Sequence, residues 1–236
     1  RASHLRGILN GVDRDEWNPE DDEHIAAAFS AKKPAGKAEC KTALLRELGL
    51  ATDRDVPLVG VVSRLWEQKG LDLAVSVLPK FLRKDSLQFV LLGSGDAWLE
   101  NEFKRLAVDF PQLCAVRIGY DNGLSHRIEA GCDFFLMPSR FEPCGLNQMY
   151  SMAYGTLPIV RATGGLADTV SGWDGKKKGT GIIFEHADQG GIEWALNRAL
   201  ELYQQPATYR SLQKTAMAAE FSWAKSAEAH LECYLS

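Results

Sequence analysis

Arg64 and Lys69 stand just after a compact β-branched run, Leu58-Val59-Gly60-Val61-Val62-Ser63, and just before an apolar-periodic stretch at about 71–83. At a strand end, two such cations can converge on one anionic group. A third group, Glu142, lies in Pro138-Ser139-Arg140-Phe141-Glu142-Pro143-Cys144-Gly145-Leu146, between two prolines. Pro143 removes a backbone donor and fixes φ, so the carboxylate is held at the mouth of the strand that precedes it. Backbone amides around Gly145, Leu146 and Asn147, where a helix is expected to open, suit phosphate oxygens, because free N–H groups and the helix dipole both favour an anion. A carboxylate beside such a cradle can hold hydroxyls or favour developing positive charge without acting as a nucleophile. Together these groups describe a site for an anion and a sugar.

Other candidates keep two readings each. Tyr120 follows a predicted strand, where its ring is either a stacking platform or a half-buried core aromatic. Gly164 and Gly165 open a short helix, either as a second amide cradle or as a tight structural turn. Cys144 reads as a small residue lining the pocket, although a thiol at a helix N-terminus can have a lowered pKa. His126 reads as structural. An isolated Arg/Lys pair or a loop Glu is more often solvated than functional, so position in the fold has to decide.

The elements that would position these groups follow a regular plan. Strands are predicted at 58–63, 88–92, 115–118, 134–137, 157–160 and 181–184, and helices at 41–49, 71–83, 97–109, 145–154 and in a helical tail from about 188 onward. Short helices follow the turns at 119–131 and 161–170. Pro79 should bend the helix at 71–83, and Pro206 should break the tail before helices at 208–219 and 222–235. Strands alternating with helices predict an α/β fold, a doubly wound parallel sheet that is Rossmann-like, with a helical C-terminal tail.

The chain has 236 residues, 45% hydrophobic and 25% charged, enough for one large domain or two small ones. A formal net charge of −4 gives no basic field for nucleic acid or an anionic membrane. Five widely spaced cysteines, with no C-x-x-C pair, point to a reduced compartment and not to a zinc site. No apolar run approaches the ~20 residues of a membrane span. The start, Arg1-Ala2-Ser3-His4-Leu5-Arg6, has no signal core and no initiator Met, which suggests a processed chain or a fragment.

Several stretches run in one family's order across nearly the whole chain: Gly7-Ile8-Leu9-Asn10-Gly11-Val12-Asp13, Val62-Ser63-Arg64-Leu65 with Gln68-Lys69-Gly70-Leu71-Asp72, Leu92-Gly93-Ser94-Gly95-Asp96, Pro138 to Leu146, and Thr163-Gly164-Gly165-Leu166-Ala167-Asp168-Thr169-Val170. The set resembles the C-terminal half of bacterial glycogen synthases and plant starch synthases, retaining glucosyltransferases of the two-domain GT-B architecture. The resemblance implies glucose transfer from ADP-glucose or UDP-glucose to the non-reducing end of an α-1,4-glucan, in glycogen or starch biosynthesis. It implies that Arg64 and Lys69 take the diphosphate in place of a metal, with no cofactor besides the donor. Glu142 would contact the glucose near its anomeric centre, and Tyr120 would stack on the base. Where the broader group has a second glutamate, this chain offers Gln148 and Tyr150, as the synthase branch does. The family's Lys-x-Gly-Gly-Leu element is absent, since the only Gly-Gly-Leu follows Ala162-Thr163. The implied layout is an interdomain linker at 1–20, a nucleotide-sugar-binding domain at 21–221, and a C-terminal helix at 222–236 that packs toward a missing acceptor-binding N-terminal domain. The implied compartment is the bacterial cytoplasm or the plastid stroma. A binding or regulatory module without turnover, or another GT-B enzyme such as a sucrose synthase or a sugar-nucleotide epimerase, is the alternative.

Overall fold

The computed structural model describes residues 6–235. Six parallel strands form one sheet: β1 (Leu58–Val62), β2 (Gln88–Gly93), β3 (Cys114–Ile118), β4 (Phe134–Met137), β5 (Leu157–Arg161) and β6 (Ile182–Phe184), in the order β3-β2-β1-β4-β5-β6. This is the expected doubly wound sheet. Its strands read as unbroken apolar runs because helices cover both faces, and β2 is buried along its whole length. Side chains alternate between the faces. Val59, Val61, Phe89 and Phe134 join the larger core, while Leu58, Val90, Leu92 and Phe135 join the smaller one.

The larger core lies under α2 (Leu71–Leu82), α3 (Ala97–Asp109), α5 (Asn147–Ala153), α7 (Gln189–Tyr203) and α8 (Pro206–Met217). The smaller one lies under α1 (Ala35–Leu48) and α4 (Asn122–Gly131). α6 (Gly164–Thr169) and α9 (Trp223–Leu235) complete the set among the described residues.

Some boundaries differ from the sequence reading. Helix α1 starts at Ala35, not at 41, because its first turns also have burial to gain: Gly36 and Cys40 are buried, and the Lys37 amine donates to the Ala130 carbonyl at 3.0 Å. Helix α5 starts at Asn147, not at 145, because Gly145 takes a left-handed φ of 72° that no helix continues. Pro206, expected as a breaker, stands at the first turn of α8, where its missing N–H costs nothing.

Residues 1–5, the start of the stretch read as a linker, lie outside the described residues. Farther along that stretch, Val12 and Trp17 are core residues. Trp17 is sandwiched between His126 and Tyr150, with ring centroids 3.9 Å from each. Asp22 sits 2.8 Å from His126 Nδ1 and accepts from the Tyr154 hydroxyl at 2.5 Å, so His126 has the structural setting expected of it.

The same N-terminal stretch anchors α9. Val12 N donates to the Phe221 carbonyl at 2.6 Å, and Ser226 Oγ donates to the Leu9 carbonyl at 2.7 Å. A Cβ on Gly11 would lie 2.4 Å from the Trp223 Cα. Gly11→Ala therefore has to push α9 away, and we expect it to destabilise the chain by about 1–3 kcal/mol. Urea denaturation followed by tryptophan fluorescence would read this; an unchanged midpoint would show that α9 is not held by this contact.

Candidate active site

Between β1 and β4 the chain reverses its direction of winding, and the connections that leave these strands part to open a crevice at their carboxyl ends. After β1 come Ser63, Arg64 and a single 3₁₀ turn, Glu67–Lys69. Gly70, at φ 68°, ends that turn and starts α2. Its hydrogen faces the other loop so closely that a Cβ would lie 2.1 Å from the Pro138 carbonyl oxygen.

Arg140 ties the two loops. Its guanidinium donates to both carboxylate oxygens of Asp72, at 2.6 and 2.7 Å, and to the Glu67 carbonyl. Its backbone N–H donates to the Gln68 carbonyl at 2.8 Å. The bidentate pair holds the Asp72 carboxyl below its usual range. From the end of β5, Arg161 donates to the Ser139 and Arg140 carbonyls at 2.9 and 2.7 Å. The loop that carries Glu142 is thereby fixed from two sides.

The two charges read in sequence as opposite ends of a ligand are partners here. Lys69 Nζ lies 2.5 Å from Glu142 Oε2, and Ser139 Oγ donates to the same oxygen at 3.2 Å. Their side chains are 19% and 8% exposed, which makes the pair largely desolvated. Arg64 is exposed and has no hydrogen-bond or ion-pair partner among the described residues. Among the described residues Arg64 is thus free, whereas Lys69 is balanced by a carboxylate.

Amides divide in the same way. Those of Gly145, Leu146 and Asn147 donate no hydrogen bond among the described residues, which leaves them open to an anion. The side chain of Asn147 crosses the crevice and donates to the Val62 carbonyl at 2.6 Å. Gly165 N–H, in contrast, is engaged with the Glu142 and Pro143 carbonyls at 3.1 and 3.2 Å. A Cβ on Gly164 would lie 2.1 Å from the Glu142 carbonyl oxygen, and one on Gly165 would lie 2.1 Å from that of Cys144. These glycines make the tight structural turn, and Gly165 is corrected as an amide donor to a ligand. Cys144 Sγ, part-exposed, accepts from Asn10 N at 3.4 Å.

Beside the crevice lies a cavity of about 300 Å³, at the lower end of the range for small-molecule sites. Arg64, Tyr120 and Asn147 line it, together with Asn122, Ser125 and Glu129 of α4. Tyr120 is 89% exposed and stands at the rim as a free ring face, not as a core aromatic. Lys69, Glu142, Cys144, Gly145 and Leu146 are outside this lining. Sequence reasoning missed the Arg140–Asp72 clamp, Arg161, Trp17 and Glu129. Each acts across elements far apart in the chain, and only the order of the strands shows that they meet.

The family model described as "Glycosyl transferases group 1" matches residues 49–216. The chain belongs to this family. A glycogen synthase from an Anaeromyxobacter species is 53% identical over 236 residues, which is all of this chain and 50% of that protein. One from Cellvibrio japonicus is 49% identical over 99% of this chain and 49% of its own length. The catalytic domain of starch synthase IV from Arabidopsis thaliana, solved bound to ADP and acarbose, superposes with a TM-score of 0.89 at 40% identity, over 97% of this chain and 48% of that one. This glycosyltransferase chain has the Rossmann-like fold of GT-B C-terminal domains, and it spans about half the length of the relatives it matches. Among the described residues no helix is long and apolar enough to cross a membrane.

Proposed function

We propose that this chain is the donor-binding half of a retaining glucosyltransferase of the glycogen and starch synthase group. It would take glucose from ADP-glucose, or less readily UDP-glucose, for addition to the non-reducing end of an α-1,4-glucan. The observation that carries this reading is the Lys69–Glu142 pair at the switch point, flanked by the unpartnered Arg64 and three open amides. Identity to glycogen synthases along the whole chain supports it, and the ADP bound to the starch synthase structure favours adenine.

In this reading the diphosphate lies on the Gly145–Asn147 amides and draws Arg64 and Lys69 to its oxygens, where they stabilise charge on the leaving group. Lys69 then turns from Glu142 toward phosphate, which frees the carboxylate to hold sugar hydroxyls and favour oxocarbenium character. Tyr120 covers the base. Two cations do the work of a metal, so EDTA should leave nucleotide affinity unchanged. The acceptor would be held by an N-terminal half, and the exposed Trp223, Leu231, Tyr234 and Leu235 of α9 offer an apolar surface for it. The whole enzyme would work in the bacterial cytoplasm or the plastid stroma.

Calorimetry with ADP, UDP and their glucose conjugates tests the site. Arg64→Ala should weaken ADP binding about tenfold to hundredfold, the effect of losing one or two charge-assisted hydrogen bonds. If the intact chain binds neither nucleotide, the donor-site reading is wrong. We expect the chain alone to elongate glucan poorly or not at all, and robust elongation would refute the assignment of the acceptor wall to another domain.

A further inference from the structure

Glu129 is a buried carboxyl with no structural partner to explain it. It is 1% exposed, and its Oε2 is sealed from solvent with no hydrogen-bond partner among the described residues. Native interiors leave few such groups, because an unmade hydrogen bond at a buried polar atom costs about 1–3 kcal/mol. The nearest cation, Lys37, donates instead to the Ala130 carbonyl and to Thr156 Oγ1.

Its position suggests what it is for. Asn122, Ser125 and Glu129 follow one face of α4 and all line the cavity that holds Arg64 and Tyr120. Asn122 is at the rim, within 3.4 Å of the Tyr120 hydroxyl, and Glu129 is nearly two helical turns farther in, where the buried Trp17 lines the same cavity. We propose that Glu129 is a specificity-determining residue of the nucleotide pocket, whose carboxyl hydrogen-bonds the ribose hydroxyls of the donor. This rests on the donor-site reading above.

Chemistry favours a diol as the partner. Burial pushes the Glu129 carboxyl well above its usual range, which favours its protonated form. A carboxylic acid has one accepting oxygen and one O–H donor, and adjacent ribose hydroxyls both give and take. A side-chain amide has the same two-sided pattern. Glu129→Gln should therefore preserve recognition, and Glu129→Met, of similar length but without polar ends, should abolish it.

The test is calorimetry with ADP, 2′-deoxy-ADP, 3′-deoxy-ADP and inosine diphosphate on the intact chain and on both variants, with circular dichroism to confirm folding. The intact chain and Glu129→Gln should bind ADP about tenfold tighter than either deoxynucleotide, the worth of one well-placed hydrogen bond. Glu129→Met should lose about tenfold in ADP affinity and bind the three adenine nucleotides alike. If the intact chain binds ADP but does not discriminate against the deoxynucleotides, or if Glu129→Met still does, the proposal fails while the donor site stands. Discrimination against inosine diphosphate that disappears only in Glu129→Met would move the contact to the base and overturn the ribose assignment. No binding of any nucleotide would overturn both readings. If Glu129→Met does not fold, Glu129→Gln decides alone, and a tenfold loss of ADP affinity in that variant would count against the proposal.

Discussion

Lys69→Ala is expected to lower the stability of the chain by about 3–5 kcal/mol, the cost of removing one partner from a buried ion pair. Glu142, 8% exposed in the intact pair, would be left with only the Ser139 hydroxyl as a partner. If the proposed donor site is right, the same substitution should weaken ADP binding about tenfold to hundredfold, since it would remove one of the two cations proposed for the phosphates. These two losses should separate in the double variant Lys69→Ala/Glu142→Gln. Removing the stranded charge restores most of the stability, but nothing restores the phosphate contact. Urea denaturation and calorimetry on the three variants would show it. A stability loss below about 1 kcal/mol in Lys69→Ala, the range of exposed pairs, would mean that the pair contributes little to the fold.

Gly165→Ala should also be damaging, by a different route. Its new Cβ would lie 2.1 Å from the Cys144 carbonyl oxygen and 2.5 Å from the Cys144 Cα, both backbone atoms that no side-chain rotation can move. The loop that bears Glu142 must shift, and with it the Gly165 N–H bonds to the Glu142 and Pro143 carbonyls are lost. We expect a loss of at least about 1–3 kcal/mol from overpacking. Because the displaced segment runs directly into Gly145, Leu146 and Asn147, ADP affinity should fall about tenfold as well, where one well-placed hydrogen bond is worth that much. A variant with normal affinity and a normal midpoint would show that this loop yields freely.

These effects show how differently the site and its frame were written in the chain. Unbroken apolar runs such as Phe89-Val90-Leu91-Leu92, set between amphipathic stretches, can be buried on both faces only in a parallel sheet covered by helices, so the doubly wound fold followed from pattern alone. The positions of Arg64, Lys69 and Glu142 at strand ends followed from the same pattern. The ordered motifs pointed to the family that the comparison then established.

Tertiary structure alone decided who touches whom. Strand β1 lies beside β4, although two strands intervene in the chain, and that neighbourhood makes Lys69 the partner of Glu142 and Arg140 the partner of Asp72. It also turned Gly165 from a candidate amide donor into a packing residue, because the Glu142 and Pro143 carbonyls had already taken its N–H. Glu129 and Trp17 had no local signal at all. A carboxylate on a short helix and an aromatic in a polar stretch read as surface and loop, yet tertiary packing buries both, Trp17 by stacking between α4 and α5. Periodicity records which face of an element is buried, a property of neighbours in the chain. The geometry of a site depends on pairs that are distant in the chain, and it is set by the order in which the strands assemble.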